Sequence, residues 1–334
     1  VLADVPALLI GPPGTAKTMQ AMELSRVLGV DFVFSQLNPF LTPEALFGIL
    51  NPAALAQGRI DIITEGYATQ QKPFVWLIDE VSRAGPAVAA LLLSAINERR
   101  IRYYGIEFKI NATAIIGTSN FMPEEEEVKA FLDRFTVRLF YSYAQSKASL
   151  IKAAFTDGAA RPQIPLDLIQ QLRVEVEARA RRAAAKAEKL ITNDVQNVLE
   201  KSAASDRRLV QAWRVAAALS IYYDEPEVTP QDLIDAFVYV LPNNTAERDK
   251  LRMELLQTEL ARDYREFNAA VVTINNLAAS IERQGGEEPD SLDIKALNEA
   301  IAKAKAYAIK MGRRARAPLA RAYEVLKKVK AESI

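Results

Sequence analysis

The chain has 334 residues, half of them hydrophobic, and its 42 lysines and arginines balance 42 aspartates and glutamates. No net field therefore draws it toward nucleic acid or an anionic membrane. It contains neither cysteine nor histidine, which excludes disulfides, thiolate nucleophiles, Ser-His-Asp hydrolysis and most transition-metal sites. Any chemistry must run on carboxylates, lysine, arginine, hydroxyls and a hard cation, which is the set that phosphoryl transfer uses. The length predicts more than one domain. No apolar run is long enough for a transmembrane helix and no signal peptide opens the chain, so a cytoplasmic protein without membrane contact is expected. The first residue is valine, from which an N-terminal stretch upstream of residue 1 is expected.

Residues 5–10 read as a short buried strand. Gly11-Pro12-Pro13-Gly14-Thr15-Ala16-Lys17-Thr18 follows, and residues 19–28 read as a helix with Met19, Met22, Leu24 and Val27 on its apolar positions. Strand, glycine-rich turn and helix form the context in which a phosphate-binding loop is credible, rather than a chance Gly/Pro turn. The loop N–H groups and the helix N-terminus would make an anion nest. Lys17 would reach the β- and γ-phosphates of ATP, and Thr18 would give its hydroxyl to Mg²⁺. Ala16 stands where glycine is usual, which is tolerable if that residue already has the negative φ of a helix.

Residues 73–78 form an apolar run ending in Asp79 and Glu80. A central parallel strand has this composition, and its acids would fall at the carboxyl end, where open α/β sheets bind ligands. Asp79 is then a candidate Mg²⁺ ligand and Glu80 the group that polarises the attacking water; a helix N-cap acid is the plainer alternative. Residues 112–119 read as another buried strand, followed by Asn120, either a turn residue or a group that places the water. Arg134 follows a predicted helix and precedes the strand 136–140. There it serves either as an arginine finger on a neighbouring subunit or as half of a surface ion pair. Between these elements, residues 59–63 and 67–69 are expected to pair as one hairpin and residues 101–109 to form a second. Tyr67, Tyr103 and Tyr104 on these inserts either grip a client or pack onto their own subunit. The acids at 124–127 are expected to open a helix.

Beyond residue 143 the pattern is helical. Helices are expected at 145–155, 165–190 and 206–223, and a fourth starts at Thr229-Pro230-Gln231-Asp232 with a cap, a proline at the first position and an acid. From Ala246, apolar residues step by three or four from Met253 through Leu256, Leu260, Tyr264 and Phe267 to Ile281, and again from Ile294 to Ala315. Between the two series, 284–290 read as a turn, so the tail is expected to be a helical hairpin with a coiled-coil-like seam, kinked or ended at Pro318. Its second helix is basic, read as a solvated or docking face or, alternatively, as a nucleic-acid contact.

In this order and spacing, the motifs resemble those of the AAA+ ATPases and, within them, the MoxR family, over roughly residues 8–223. The loop with alanine before lysine resembles the MoxR version of Walker A. Phe47-Gly48, Gln57-Gly58-Arg59 and Thr64-Glu65-Gly66-Tyr67 are similar to that family's insert. Asp79-Glu80-Val81-Ser82-Arg83-Ala84-Gly85-Pro86 is similar to its Walker B segment, Gly117-Thr118-Ser119-Asn120 to sensor 1, and Leu132-Asp133-Arg134-Phe135 to the arginine-finger segment. Ser205-Asp206-Arg207-Arg208 resembles the sensor 2 start of a lid helix, with Arg207 at the family position and Arg208 the alternative. The RavA subgroup looks nearest. The resemblance implies an α/β fold: a P-loop core with a parallel sheet (1–143), an all-α lid (144–243) and the helical hairpin (244–334). It also implies ATP and Mg²⁺ as cofactors, a ring of subunits, usually six, and chaperone-like work on a protein client with a von Willebrand factor A partner. A nucleic-acid motor and a nucleotide-gated scaffold are the rival expectations.

Overall fold

The computed structural model describes residues 1–123, 126–143, 163–202, 204–283, 291–311, 314, 319–320 and 323–324. In chain order the first part holds β1 (Ala7–Ile10), α1 (Lys17–Leu28), β2 (Asp31–Gln36), α2 (Glu44–Phe47), β3 (Ile49–Leu50), α3 (Pro52–Ala56), β4 (Ile62–Ile63) and β5 (Phe74–Asp79). Then come α4 (Pro86–Glu98), β6 (Arg100–Tyr103), β7 (Ile106–Lys109), β8 (Ala112–Ser119), α5 (Glu126–Leu132) and β9 (Val137–Phe140). Contacts divide the chain into two compact units. One comprises Val1–Glu175, Ala204–Gln211 and Pro242–Thr245, and the other Val176–Ala203, Ala212–Leu241 and Ala246–Ile334.

The first unit is organised by a five-stranded sheet in the order β2-β5-β8-β1-β9, with every neighbouring pair parallel. Strands buried on both faces read as continuous apolar runs, and β5 shows why. Phe74, Trp76 and Ile78 enter the core cluster on one face, with Val88 and Leu92 of α4. Val75 and Leu77 enter the cluster on the other, with Ala21 and Leu28 of α1. The indole of Trp76 donates to Ser35 Oγ at 3.0 Å, which satisfies its one buried donor. In β8, Gly117 lets the strand pass under Phe135, whose ring carbon would lie 2.6 Å from an added Cβ.

The expected second hairpin is present: β6 pairs antiparallel with β7. Its tip, Tyr104-Gly105, has positive φ at both residues (49° and 78°), the signature of a type I′ turn. The first hairpin is differently made. Ile62 and Ile63 pair with Leu50 and Ile49, not with residues 67–69. Two local features set this partner. Gly48 (φ 102°) allows an approach in which a Cβ would sit 2.3 Å from the Ile63 carbonyl. Asn51 caps α3 and also bonds through its amide N–H to the Asp61 carbonyl at 2.9 Å. Residues 67–69 are instead tied to the end of α2, through Ala68 N–H to Leu46 O and the buried Thr69 hydroxyl to Phe47 O.

Helices then run as α6 (Leu166–Ala184), α7 (Ala187–Leu190), α8 (Asn193–Glu200), α9 (Asp206–Tyr222), α10 (Pro230–Val240), α11 (Thr245–Leu255), α12 (Arg262–Arg283) and α13 (Ser291–Met311). The helix expected over 165–190 breaks after Ala184, because no residue between Ala183 and Leu190 is buried to hold it. The start at Thr229 is as expected: a complete capping box with Asp232, and Pro230 at the first position.

In the second unit, α12 and α13 pack along a seam of Phe267, Ala270, Ile274, Leu297, Ala300, Ile301 and Ala304. The Lys303–Glu266 ion pair (2.7 Å) closes its flank. The seam starts later than the periodicity implied. Met253 is 62% exposed, and the chain turns at Leu256–Glu259, where Arg265 donates to the carbonyls of Leu256 and Thr258. The helix expected at 145–155, the turn at 284–290, Pro318, Glu124, Glu125 and most of the basic run beyond Met311 lie outside the described residues. From that run, Arg314 stacks 3.9 Å from the Tyr223 ring centre and pairs with Glu225, Asp232 and Asp235. None of the helices among the described residues is long and apolar enough to cross a membrane.

Candidate active site

Strand register brings the predicted residues to one edge. Ile10 of β1 is level with Ser119 of β8, so Gly11 and Asn120 leave the sheet side by side. The Gly11 N–H is hydrogen-bonded to the Ser119 carbonyl at 3.1 Å. Ile78 of β5 is level with Gly117, which sets Asp79 beside Thr118. The loop 11–18, the Asp79-Glu80 pair and Asn120 thus gather at the carboxyl edge of three adjacent strands.

The loop is bent around its own lysine. Lys17 is buried, and its ammonium donates to the carbonyls of Gly11 (2.6 Å) and Pro12 (2.9 Å). Burial lowers its pKa, and the Asp79 carboxylate raises it in part, which places that acid within electrostatic reach of the lysine. Gly14 (φ 76°) faces open space. The N-terminus of α1 carries no side-chain cap, so its first N–H groups are left for an external acceptor. The expectation of a helical Ala16 is corrected: Ala16 has φ 61° and ψ 24°, in the left-handed region, as the residue that precedes the helix. The turn from the loop into α1 requires that conformation, and in a residue bearing a Cβ it costs about 1–2 kcal/mol.

Asp79 ends β5, and one of its carboxylate oxygens accepts a hydrogen bond from the Thr118 hydroxyl. The next residue, Glu80, has φ 56°, and its carboxylate pairs with Arg83 at 3.1 Å. Among the described residues no group of three or more carboxylates gathers to hold a metal. The donors at this edge, one carboxylate from Asp79 and the exposed hydroxyl of Thr18, fit Mg²⁺, which takes one or two protein oxygens and completes its shell with phosphate and water.

The arginines lie elsewhere. Arg134 precedes β9, which runs parallel to β1 with Val137 level with Ala7, so Arg134 is at the amino edge, opposite the loop. Its Nε is buried without a hydrogen-bond partner. Arg207 donates to Asn97 Oδ1 at 2.9 Å. Asn97 is two residues before Arg99, whose guanidinium bonds Ala112 O at the start of β8 and Asp4 before β1. Asn97 is in the last turn of α4, whose 13 residues span about 20 Å at ~1.5 Å per residue. α4 leaves the carboxyl edge after β5, and the chain is back at the amino edge when the parallel strand β8 starts. Arg207 is therefore toward the same edge as Arg134. Arg208 is 1% exposed and bonds Asp133 (3.4 Å), Asn243 Oδ1 (3.1 Å) and the Pro242 carbonyl (3.3 Å).

Two of the insert tyrosines pack onto their own chain. Tyr103 is buried against Phe47, and Tyr104 donates to Glu44 at 2.9 Å. Tyr104 is nevertheless exposed, as are the aliphatic insert residues Ile49, Leu55, Ile60 and Ile63. Thr118 and Arg83 lie in the motif segments but carry no expected role of their own, although a hydroxyl at the buried end of a strand two residues before Asn120 is a visible signal.

A family profile described as the MoxR domain of MoxR-vWA-beta-propeller ternary systems matches residues 1–174. An uncharacterized protein of Methanocaldococcus jannaschii is 26% identical over 259 residues, 77% of this chain and 68% of its own length. Chaperone MoxR1 of Mycobacterium tuberculosis is 26% identical over 276 residues, 76% of this chain and 70% of its own length. Among solved structures, a candidate ATPase of Cytophaga hutchinsonii shares the fold with a TM-score of 0.59 at 20% identity, covering 77% of this chain and 86% of that one.

Proposed function

The chain belongs to the MoxR domain family of the MoxR-vWA-beta-propeller systems, and from that premise we propose that it is an AAA+ ATPase that hydrolyses ATP with Mg²⁺ at contacts between subunits. The observation that carries this reading is the division of polar groups between two sheet edges. The loop, Asp79, Glu80 and Asn120 occupy the carboxyl edge, and Arg134 and Arg207 the amino edge.

In this reading, residues 11–16 and the α1 N-terminus cradle the phosphates, and Lys17 exchanges its two loop carbonyls for phosphate oxygens. Thr18 and Asp79 hold the metal, which supplies charge neutralisation on the phosphates. Glu80 orients and polarises the attacking water, with Asn120 beside it. Turning Glu80 toward the water means breaking its pair with Arg83. Arg134 and Arg207 stabilise the charge on a neighbour's nucleotide.

Ring assembly, with six subunits as the family norm, supplies that neighbour. The work done is chaperone-like remodelling of a protein client in the cytoplasm, with a von Willebrand factor A protein as partner; the family description supports that partner. Kinship to the RavA subgroup rests on the residue pattern alone. A core, lid and hairpin divided at 143 and 243 remain the proposed domain plan.

Steady-state ATPase of wild type, Lys17→Ala and Arg134→Ala across protein concentration tests the reading. Wild-type specific activity should rise with concentration, and both variants should fail, with Arg134→Ala still binding nucleotide. An Arg134→Ala protein as active as wild type, with no concentration dependence, refutes it.

A further inference from the structure

We propose that Thr118 is a positioning residue that locks the Asp79 carboxylate and the Glu80 backbone into one unit. The proposal rests on the ATPase reading above and adds to it a residue that binds neither nucleotide nor metal.

Thr118 is 1% exposed, at the carboxyl end of β8. Its Oγ1 donates to Asp79 Oδ1 and accepts from the Glu80 N–H at 3.2 Å. A hydroxyl has one proton and two lone pairs. The amide N–H can only donate, so it takes a lone pair. The single hydroxyl proton is therefore committed to the carboxylate. Both bonds have a fixed direction, and rotation of the hydroxyl away from Asp79 would leave its own buried O–H unpaired.

Two consequences follow for the acids. One oxygen of Asp79 is held as an acceptor from Thr118, which sets the carboxylate plane and leaves the other oxygen for a metal or its water. Glu80 leaves β5 with φ 56°, and its amide is pinned at that bend, so its side chain departs from a fixed point whether or not it is paired with Arg83. A residue that ties a ligating carboxylate in this way acts as the outer support of a metal site, and loss of such supports costs 10–100-fold in metal affinity or activity.

Thr118→Val removes the hydroxyl while keeping the branched shape, and Thr118→Ser keeps the hydroxyl. Binding of a fluorescent ATP analogue is measured in EDTA and across Mg²⁺, alongside kcat and KM. For Thr118→Val, affinity in EDTA should stay within about 2-fold of wild type. The Mg²⁺ concentration at half-effect should rise about 10–100-fold, with kcat falling and KM nearly unchanged. Thr118→Ser should restore both. The proposal is overturned if Thr118→Val titrates with Mg²⁺ like wild type, if its metal-free affinity falls as far as its metal-linked affinity, or if serine does not restore. A wild type that binds Mg²⁺-nucleotide but never turns it over sinks the ATPase reading and leaves the binding comparison to decide Thr118. A wild type that binds none sinks both.

Discussion

The adjacent arginines Arg207 and Arg208 should give opposite phenotypes when each is changed to alanine. Arg208 is buried, with its guanidinium shared among Asp133, Asn243 and the Pro242 carbonyl. Removing one partner of a buried pair costs about 3–5 kcal/mol. Two features pull Arg208→Ala to the low end. Asp133 keeps the Ser205 hydroxyl at 2.6 Å, and the Arg138 guanidinium stays 4.0 Å away. A loss of about 3 kcal/mol corresponds to a drop in melting temperature of about 6–12 °C. Arg207 is exposed and holds Asn97 by one exposed bond, so Arg207→Ala should stay within ~0.5 kcal/mol of wild type. Its ATPase should nevertheless fall about 10²–10³-fold, the loss typical of one transition-state donor. Thermal melts and urea titrations read the first half, and turnover at saturating protein reads the second. Equal destabilisation by the two changes would refute the assignment of Arg208 as structural. Full activity in Arg207→Ala would remove it from the site.

Ala16→Gly should relieve the left-handed strain at the loop. Part of the ~1–2 kcal/mol returns as unfolded-chain entropy, so a net gain of up to ~1 kcal/mol is expected in melts without loss of nucleotide affinity. Gly11→Ala should do the reverse, because its Cβ would lie 2.5 Å from the Tyr141 carbonyl; lower stability and weaker nucleotide binding together would bear this out. In the second unit, burial, helped by Asp232, pushes the Glu225 carboxyl up from 4.5 to about 9 against the pull of Arg314. The folded state keeps a proton there that the unfolded chain releases above its ordinary value. That contribution is full at pH below 4.5 and is lost as pH rises toward about 9. Urea titrations should show stability falling over that window, with a shallower slope in Glu225→Gln; an unchanged slope would contradict the buried proton. Thr229→Ala breaks the capping box and should cost about 1 kcal/mol in the same assay.

The elements around the nucleotide loop were legible because each is local. An apolar run, a glycine-rich turn and a helix carry their own periodicity and punctuation, and the capped start at Thr229 is written in four consecutive residues. What the sequence hid was set by distant partners. The hairpin partner of Ile62 depends on Gly48 and Asn51, more than ten residues away. Arg207 and Arg208 are indistinguishable in a linear reading, and only the fold shows one at Asn97 and the other walled in by Asp133 and Pro242. The left-handed Ala16 defeats a rule based on Cβ sterics, because the loop imposes a backbone that alanine would not choose.

The separation of charges between the two sheet edges has a consequence for mixtures. On the proposed reading, each contact is head-to-tail, with one chain giving its loop edge and the next its arginine edge. A Lys17→Ala chain spoils the pocket it owns but still lends Arg134 to its neighbour. An Arg134→Ala chain keeps a sound pocket and fails the neighbour's. Two individually dead proteins, mixed, would then rebuild a working pocket wherever an Arg134→Ala chain offers its loop to the arginine of a Lys17→Ala chain. Complementation between inactive partners would thus reveal the direction in which the subunits face one another.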